Sequence, residues 1–166
     1  MTGCYFEKVS ETQFARDCKE RLSGWKNICK YDYNAIVLPV RSTAGSAGYD
    51  FVSPVTFTLF PGESMIIPSG IRCHMKQDVF LAIVPRSSVA VKHGITLLNT
   101  VAIIDSDYYN AENEGHIMMG FKNTSNQPWM VTAGDRVCQG IFLPYLVTDN
   151  DGATGERVGG VGSTGV

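Results

Sequence analysis

The sequence has little excess of charge of either sign, and its apolar runs are short. Among 166 residues, 14 lysines and arginines oppose 16 acidic residues, which gives a formal net charge of −2. A broad nucleic-acid-binding face needs clustered Lys and Arg, so we expect no nucleic-acid partner. The longest apolar runs, such as residues 79–84, have the length of a strand and fall far short of a membrane span. We therefore expect no membrane partner.

Paired cysteines and an export signal are also missing. The five cysteines are widely spaced, with no CxxC pair and no Cys/His cluster, so neither a disulfide framework nor a zinc site is indicated. We expect reduced thiols that behave as small apolar side chains. The first residues lack the basic and then apolar pattern of a secretory signal. These features predict a cytoplasmic protein.

The sequence matches the residue pattern of a dinucleotide-binding motif but lacks the strand and helix that the motif requires. Gly160, Gly162 and Gly165 match GxGxxG, but that motif acts between a strand and the helix it opens. A single residue follows Gly165 here, and the Walker GK[ST] is absent as well. Successive glycine N–H groups can still form an anion-binding nest. The tail is thus either a phosphate-binding arm or a dispensable terminus.

Short strands dominate the sequence between these ends. Apolar segments of strand length alternate with turn sequences such as 60–63 (FPGE) and 132–135 (TAGD). The predicted strands cover 35–40, 55–60, 64–67, 71–75, 79–84, 95–98, 101–104, 116–122, 129–132 and 137–147. Many short strands joined by regular turns predict an all-β antiparallel sandwich or barrel.

One helix is predicted, near the N-terminus. Residues 10–13 (SETQ) form a capping box, and Phe14, Cys18 and Leu22 then recur every four residues until Gly24. We divide the chain into an N-terminal extension of residues 1–34, a β core of 35–147 and a Gly-rich C-terminal arm of 148–166. The length favours one domain with a sizeable core.

Two polar stretches contain candidate phosphate ligands. Arg86, Ser87 and Ser88 come after a predicted strand that stops at a proline, and a guanidinium with two hydroxyls suits phosphate oxygens. Gln139 enters another strand after a turn, and Asp50 closes a loop of small residues. Each stretch taken alone fits an ordinary polar turn or edge strand equally well.

A third stretch sets polar residues against apolar strands. Asn99 precedes one short strand, and Asp105, Asp107 and Tyr108 come after it. An acid placed directly after Ala-Ile-Ile is expected to be partly buried, which raises its pKa unless a cation pairs with it. In isolation, a capping or turn role for these aspartates is the default interpretation.

Taken together and in order, these motifs become specific. AGYD (47–50), PRSS (85–88), IDSDYY (104–109), GDRVCQ (134–139) and GGVGSTG (159–165) resemble the five ordered motifs of the trimeric deoxyuridine triphosphatases (dUTPases). The resemblance spans residues 36–166, and residues 107–117 and 142–152 look most like members from Gram-positive bacteria and their phages. It implies a jelly-roll-like β-barrel or sandwich with a short N-terminal helix and a flexible Gly-rich arm. It also implies a homotrimer whose active sites are shared between subunits.

The resemblance further implies hydrolysis of dUTP to dUMP and pyrophosphate with Mg²⁺, which keeps uracil out of DNA and supplies dUMP for thymidylate synthesis. Asp105 would activate a water that attacks the α-phosphorus, and Asp50 would have a supporting role, structural or in ordering magnesium-bound water. No protein side chain would bind the metal directly, because the substrate phosphates and water hold it. The residues implied to bind substrate are Arg86, Ser87, Ser88 and Gln139 (α and β phosphates), Asn99 (uracil), Tyr108 (deoxyribose), and Arg157, Gly162, Ser163 and Thr164 (γ-phosphate).

Two departures and two alternatives accompany this interpretation. Val161 stands where the family usually has an aromatic that stacks on uracil, and Asn110 stands where glycine is common. A dCTP deaminase shares the fold but needs a glutamate where this sequence has Gly120. A nucleotide-binding regulatory protein is the other alternative. The unassigned residues 1–34 and Val161 would support it, whereas Asp105 argues against a purely non-catalytic role.

Overall fold

The strands and helices succeed one another in short segments. The computed structural model describes residues 3–26 and 28–160, with no side-chain description for 28–30. The strands are β1 (Tyr5–Lys8), β2 (Ile28–Tyr31), β3 (Val40–Arg41), β4 (Tyr49–Val52), β5 (Val55–Leu59), β6 (Ser64–Pro68), β7 (Ile71–His74), β8 (Val79–Pro85), β9 (Ile95–Leu97), β10 (Ala102–Ile104), β11 (Met118–Asn123), β12 (Trp129–Val131) and β13 (Arg136–Pro144). The helices are α1 (Glu11–Leu22) and α2 (Ser87–His93), and 3₁₀ turns lie at Tyr33–Ala35 and Ser106–Asn110.

Antiparallel pairing organises these strands into small sheets. The largest has the order β10-β8-β13-β4-β3, and smaller sheets have the orders β6-β11-β9, β12-β5-β2 and β1-β7. Strict alternation of buried and half-buried residues along β5 shows one strand face turned to the core. The prediction of an all-β jelly-roll-like fold is confirmed. Within the described ranges, no helix is long and apolar enough to cross a bilayer.

The N-terminal helix is part of the core. Phe14, Cys18 and Leu22 are buried in the same apolar cluster as the strands, and α1 begins and ends close to the predicted positions. The capping box forms only in part. The Ser10 hydroxyl accepts the Gln13 N–H at 3.1 Å, but the Ser10 N–H donates to the Glu114 carboxylate at 2.8 Å. A charged acceptor from another element replaces the local one.

Two local predictions were wrong. The segment 35–40 contains no strand except at its last residue, because a 3₁₀ turn capped by Asp32 occupies 33–35 and Pro39 lacks a ladder donor. The sequence predicted a single helix, but Ser87 and Ser88 begin a second one, α2, which ends at Gly94 in the left-handed region (φ 63°). Short helices of this kind have too few residues to show a periodic pattern.

Candidate active site

A cavity of about 380 Å³ opens beside the edge strand β10. This volume falls within the range typical of small-molecule sites. Apolar side chains form its walls, and polar groups converge from Asn99, Asp105, Tyr108 and Arg157. The apolar lining residues are Ile66, Leu98, Ala102, Ile103, Ile104 and Met118. An apolar chamber with a few directed polar groups suits a small ligand that has both apolar and polar surface.

One wall of the cavity is the tight turn between β9 and β10. Thr100 adopts a positive φ of 61° there, and its N–H donates to the Leu97 carbonyl at 3.2 Å. The Leu98 N–H donates to the Gly120 carbonyl at 3.0 Å, which ties the turn to β11. Asn99 lies within this turn and lines the cavity.

Asp105 lies where β10 ends and the Ser106–Asn110 turn begins. Its carbonyl accepts the Tyr108 N–H at 3.2 Å, which closes the first turn. The expectation of a partly buried carboxylate was wrong, because the Asp105 side chain is 51% exposed. The physical reason is that β10 is the outer strand of its sheet, so no further strand covers the residue immediately after it. The carboxylate is thus accessible from the cavity.

Arg157 of the C-terminal arm binds this carboxylate in the same chain. Its Nη2 lies 2.5 Å from Asp105 Oδ2, and its Nε lies 2.8 Å from Asp107 Oδ1. The guanidinium also lies 5.6 Å from the centre of the Tyr108 ring, and the Arg157 side chain is only 13% exposed. The arm is therefore held at the cavity by charge. Val161, Gly162, Ser163 and Thr164 lie outside the described residues.

Tyr108 is fixed by its hydroxyl as well as by its ring. The hydroxyl donates to the His116 carbonyl and accepts from Asn113 Nδ2, both at 2.8 Å. The residue is 5% exposed. Burial raises the pKa of Tyr108, and the hydrogen bond from Asn113 offsets part of that effect. Tyr108 is therefore a neutral, rigid wall of the cavity.

A second polar group of residues, the arginine cluster (Ser42, Asp50, Arg86, Arg136), lies at the far end of the same sheet. Asp50 Oδ1 binds Arg86 Nε at 2.9 Å, and Asp50 Oδ2 binds Arg136 Nη1 at 3.2 Å. Ser42 donates to Asp50 Oδ2 at 2.8 Å. Both oxygens of the buried Asp50 are thus occupied, which fixes two guanidinium groups side by side. Arg136 stands within the GDRVCQ motif but was not among the predicted site residues.

Gln139 lies next to the arginine cluster on the neighbouring strand. Gln139 belongs to β13, where it pairs with Asp50 of β4 on one side and with Val84 of β8 on the other. It therefore lies beside the end of β8. A Cβ on Gly48 would overlap Gln139 Oε1. The lack of a side chain on Gly48 thus lets the Gln139 amide lie against the chain just before β4. Ser88 lines a separate polar groove together with Arg86 and Arg136.

The cavity and the arginine cluster are far apart within one chain. Ile104 pairs with Leu81 across β10 and β8, so Asp105 lies level with Phe80. Arg86 lies beyond the opposite end of β8, six residues farther on, which at about 3.3 Å per residue is about 20 Å. The structure thus brings Asn99, Asp105, Tyr108 and Arg157 together at one end of the sheet. It places Asp50, Arg86, Ser88 and Gln139 at the other.

Among the described residues that line the cavity there is no glutamate. Gly120 lies on β11 at the cavity wall, and a Cβ there would lie 3.0 Å from Leu98 Cδ1. The carboxylate that lines the described cavity is that of Asp105. In the part of the chain that the structure describes, no three His, Cys, Asp or Glu side chains are grouped to hold a metal ion.

Comparisons with known proteins agree on one family. The dUTPase family model matches residues 34–165. The deoxyuridine 5'-triphosphate nucleotidohydrolase of Lactococcus lactis is 41% identical over 148 residues, covering 87% of this chain and 99% of its own. The crystal structure of the Streptococcus mutans dUTPase is 33% identical with a TM-score of 0.68, and the match covers 88% of this chain and 99% of that one.

Phage structures support the fold alone. The dUTPase of Staphylococcus bacteriophage 80alpha, solved as a mutant with dUpNHpp, has a TM-score of 0.67 at 14% identity and covers 92% of this chain and 97% of its own. The dUTPase of phage phi11 of S. aureus, 16% identical with a TM-score of 0.66, is described with a structural Mg(II) ion. These relatives come from Gram-positive bacteria and their phages, as the motifs implied.

Proposed function

This chain belongs to the dUTPase family and hydrolyses dUTP to dUMP and pyrophosphate, and from that premise we propose which of its residues perform the reaction. The observation that carries the proposal is the cavity in which Asn99, Asp105 and Tyr108 converge. Asn99 and the backbone beside it bind uracil, and Tyr108 packs under the deoxyribose. In this proposal the Tyr108 ring packs so closely against the sugar that it excludes a 2′-hydroxyl.

Asp105 activates the attacking water in this proposal. Its exposed carboxylate accepts a proton from the water, the water oxygen bonds to the α-phosphorus, and the bond to the bridging oxygen of the β-phosphate breaks. Pyrophosphate leaves with that bridging oxygen. Arg157 forms an ion pair with Asp105 in the structure, so this ion pair must break when substrate binds. The γ-phosphate is the stronger attraction because it offers several charged oxygens to the same guanidinium, and Gly162, Ser163 and Thr164 would add to its binding.

Arg86, Ser87, Ser88 and Gln139 bind the α and β phosphates. Asp50 holds Arg86 through Nε, so the two Nη groups are the ones directed to phosphate oxygens. The role of Asp50 is thus to orient Arg86. Both of its carboxylate oxygens already have partners, which favours this role over the ordering of magnesium-bound water. We add Arg136 to this set because Asp50 orients it in the same way.

Mg²⁺ would reach this site with the substrate. The described residues group no three His, Cys, Asp or Glu side chains that could hold the ion by themselves, and Mg²⁺ keeps several waters and binds readily to substrate phosphates. We place the ion on the phosphates, where it would neutralise charge as the reaction proceeds. The chain's own task is to orient the phosphates through the arginine cluster and to keep Asp105 facing the α-phosphorus.

The working form is a homotrimer with sites shared between subunits. In the proposed reaction Asp105 and Arg86 act on the same phosphate, which requires them within a few ångströms of one another. The two residues are about 20 Å apart along β8 of a single chain. A neighbouring subunit must therefore bring its arginine cluster to this cavity. The exposed apolar residues Val101 and Ile103 beside the cavity favour burial by such a neighbour. We propose a cytoplasmic location on the grounds of composition alone.

The first experiment tests the role of Asp105. Pyrophosphate release from dUTP with Mg²⁺ is measured for the wild type, Asp105→Asn and Asp107→Asn. Asp107 is the matched control, because it holds the same arginine but does not line the cavity. We expect a loss of at least about a hundredfold in kcat for Asp105→Asn and a small change for Asp107→Asn. Equal rates for wild type and Asp105→Asn would remove Asp105 from the mechanism, and dCTP serves as the substrate that tests for deamination.

The second experiment tests shared sites. Arg86→Ala and Asp105→Asn chains, each inactive alone, are unfolded, mixed in equal amounts and refolded. If Arg86 and Asp105 of one site come from different chains, random assembly gives about one site in four with both residues intact. A site built within one chain would regain no activity on mixing. Size-exclusion chromatography with light scattering gives the number of chains.

A further inference from the structure

We propose that the N-terminal clamp, which we define as residues 5–22, positions the Ser106–Asn110 turn for catalysis, with Asp17 as the positioning residue for Tyr108. The inference rests on the proposed role of Tyr108 in binding the sugar. The clamp comprises β1 and α1 and lies outside the residues matched by the family model. Its polar contacts converge on the loop that bears Asp105 and Tyr108.

The clamp is attached to the core by strand pairing and by buried apolar side chains. β1 pairs with β7 from Tyr5 opposite His74 to Lys8 opposite Ile71. Val9, Phe14 and Cys18 are buried at 1% exposure or less in the main apolar cluster. A rigid attachment of this kind is what a positioning element needs, because a mobile one could not fix its neighbour.

The polar side of α1 then reaches a buried histidine. Asp17 Oδ2 accepts hydrogen bonds from Gln13 Nε2 at 2.9 Å and from His116 Nδ1 at 2.5 Å. Burial by itself raises the pKa of the Asp17 carboxyl, but the bonds from His116 and Gln13 more than offset it, so that the pKa is lowered. The other ring nitrogen of His116 accepts the Gly70 N–H at 2.7 Å. The imidazole is thus held in one tautomer and orientation.

His116 in turn holds Tyr108, which forms part of the cavity wall. Its backbone carbonyl accepts the Tyr108 hydroxyl at 2.8 Å. Gly115, with a φ of 67°, lets the chain pass so closely that a Cβ there would lie 2.6 Å from the Tyr108 carbonyl. The hydroxyl and the main chain of Tyr108 therefore both contact residues 115–116, the segment that Asp17 anchors through the His116 side chain.

The other side of the same turn is held by β1. The Tyr109 hydroxyl donates to Glu7 Oε2 at 2.5 Å, and Arg72 lies 2.9 Å from the same carboxylate. The Arg72 guanidinium also stacks 4.2 Å from the centre of the Tyr109 ring. The hydrogen bond to Glu7 raises the pKa of Tyr109 to about 12, so the phenol stays a donor.

A third contact closes the clamp. Glu114 receives both the Ser10 N–H at 2.8 Å and the Ser10 hydroxyl at 2.7 Å. Tyr108, Tyr109 and Glu114 thus each bond to the clamp or to the histidine it anchors. Asp105 is the residue from which the turn starts, so a shift of the turn moves the carboxylate and the sugar-binding ring together.

The test compares substrate selectivity with stability. The ratio of kcat/KM for dUTP to that for UTP is measured for Asp17→Ala, Asp17→Asn and Cys18→Ala. Cys18→Ala is the matched control, because it removes buried contacts one residue farther along α1 and leaves the Asp17–His116 hydrogen bond in place. Loss of a remote positioning contact can reduce catalysis by roughly 10- to 100-fold. We expect such a loss of selectivity for Asp17→Ala, recovery in Asp17→Asn, whose amide oxygen can still accept from His116, and little change in Cys18→Ala.

A double-mutant cycle separates this inference from the proposed function. If Asp17 acts through Tyr108, the Asp17→Ala change should have little further effect in a Tyr108→Phe background. A selectivity ratio for Asp17→Ala equal to that of Cys18→Ala, with Tyr108→Ala still losing selectivity, would overturn the clamp alone. Unchanged selectivity in Tyr108→Ala would overturn the sugar-binding role and the clamp with it. Should Asp17→Ala fail to fold, Tyr109→Phe tests the opposite side of the turn with the same readout and the same two outcomes.

Discussion

Replacing Asp50 by Asn removes one buried charge while keeping the shape of the side chain. In the folded protein this carboxylate is 9% exposed and holds Arg86, which is 25% exposed, and Arg136, which is 50% exposed. An amide has one oxygen to accept with, and its N–H₂ group faces a guanidinium that cannot accept. We therefore expect Arg86 and Arg136 to lose their shared anchor.

The magnitude depends on the exposure of each pair. A hydrogen bond to a charged group is worth about 1.5–3 kcal/mol when largely buried, which describes the pair with Arg86. The pair with Arg136 is half exposed and is worth less than about 1 kcal/mol. Because Asn keeps one acceptor, we expect a loss of about 2 kcal/mol in the free energy of unfolding. For a chain of this length that lowers Tm by about 4–8 °C.

The assay combines thermal unfolding with kinetics. We expect kcat/KM for dUTP to fall roughly 10- to 100-fold, because Arg86, the proposed phosphate ligand, loses its orientation, while the Mg²⁺ concentration for half-maximal rate stays the same. Asp135→Asn is the matched control, since Asp135 is exposed and accepts a single backbone N–H at 2.8 Å. Wild-type stability in Asp50→Asn would refute the reasoning. A raised Mg²⁺ requirement would show instead that Asp50 orders magnesium-bound water.

Three further expectations concern single contacts. Arg157→Gln should raise KM for dUTP by at least about tenfold through loss of a charge-assisted bond, while inhibition by dUMP, which has no γ-phosphate, stays unchanged; equal effects on both ligands would contradict γ-phosphate binding. Gly115→Ala should destabilise by about 1–3 kcal/mol in denaturant unfolding, because its φ is 67° and its Cβ would meet the Tyr108 carbonyl. The third expectation concerns acid unfolding. The pKa of Asp17 is lowered in the folded state, so the contribution of Asp17 to the free energy of unfolding is complete above its unfolded pKa near 4. That contribution is lost as pH falls through the folded pKa. Asp17→Asn should flatten that acid limb, and an unchanged limb would show that Asp17 is not the group concerned.

The placement of several candidate residues at strand ends and turns was predictable because the signals for it are local. A strand that ends at Pro85 must expose the residues after it, and the structure has Arg86 there beside Asp50. The tight turn that presents Asn99 and the aspartates after β10 also lie where the apolar pattern stops. The partners of these residues were not predictable. Arg157 on Asp105, Arg136 on Asp50 and His116 beneath Tyr108 each join positions far apart in sequence, and no local pattern encodes such a pairing.

By itself the sequence determined the strand-dominated class, the start and end of α1, and the order of the motifs that identify the family. Alternating apolar residues, capping residues and turn residues act over a few positions, so they can be recognised without the fold. Tertiary structure alone decided that Asp105 is exposed at an edge strand and that α1 joins the core. It also decided that Asp105 and Arg86 lie at opposite ends of β8. Each of these depends on which strands become neighbours, and strand register is set by packing of the whole chain.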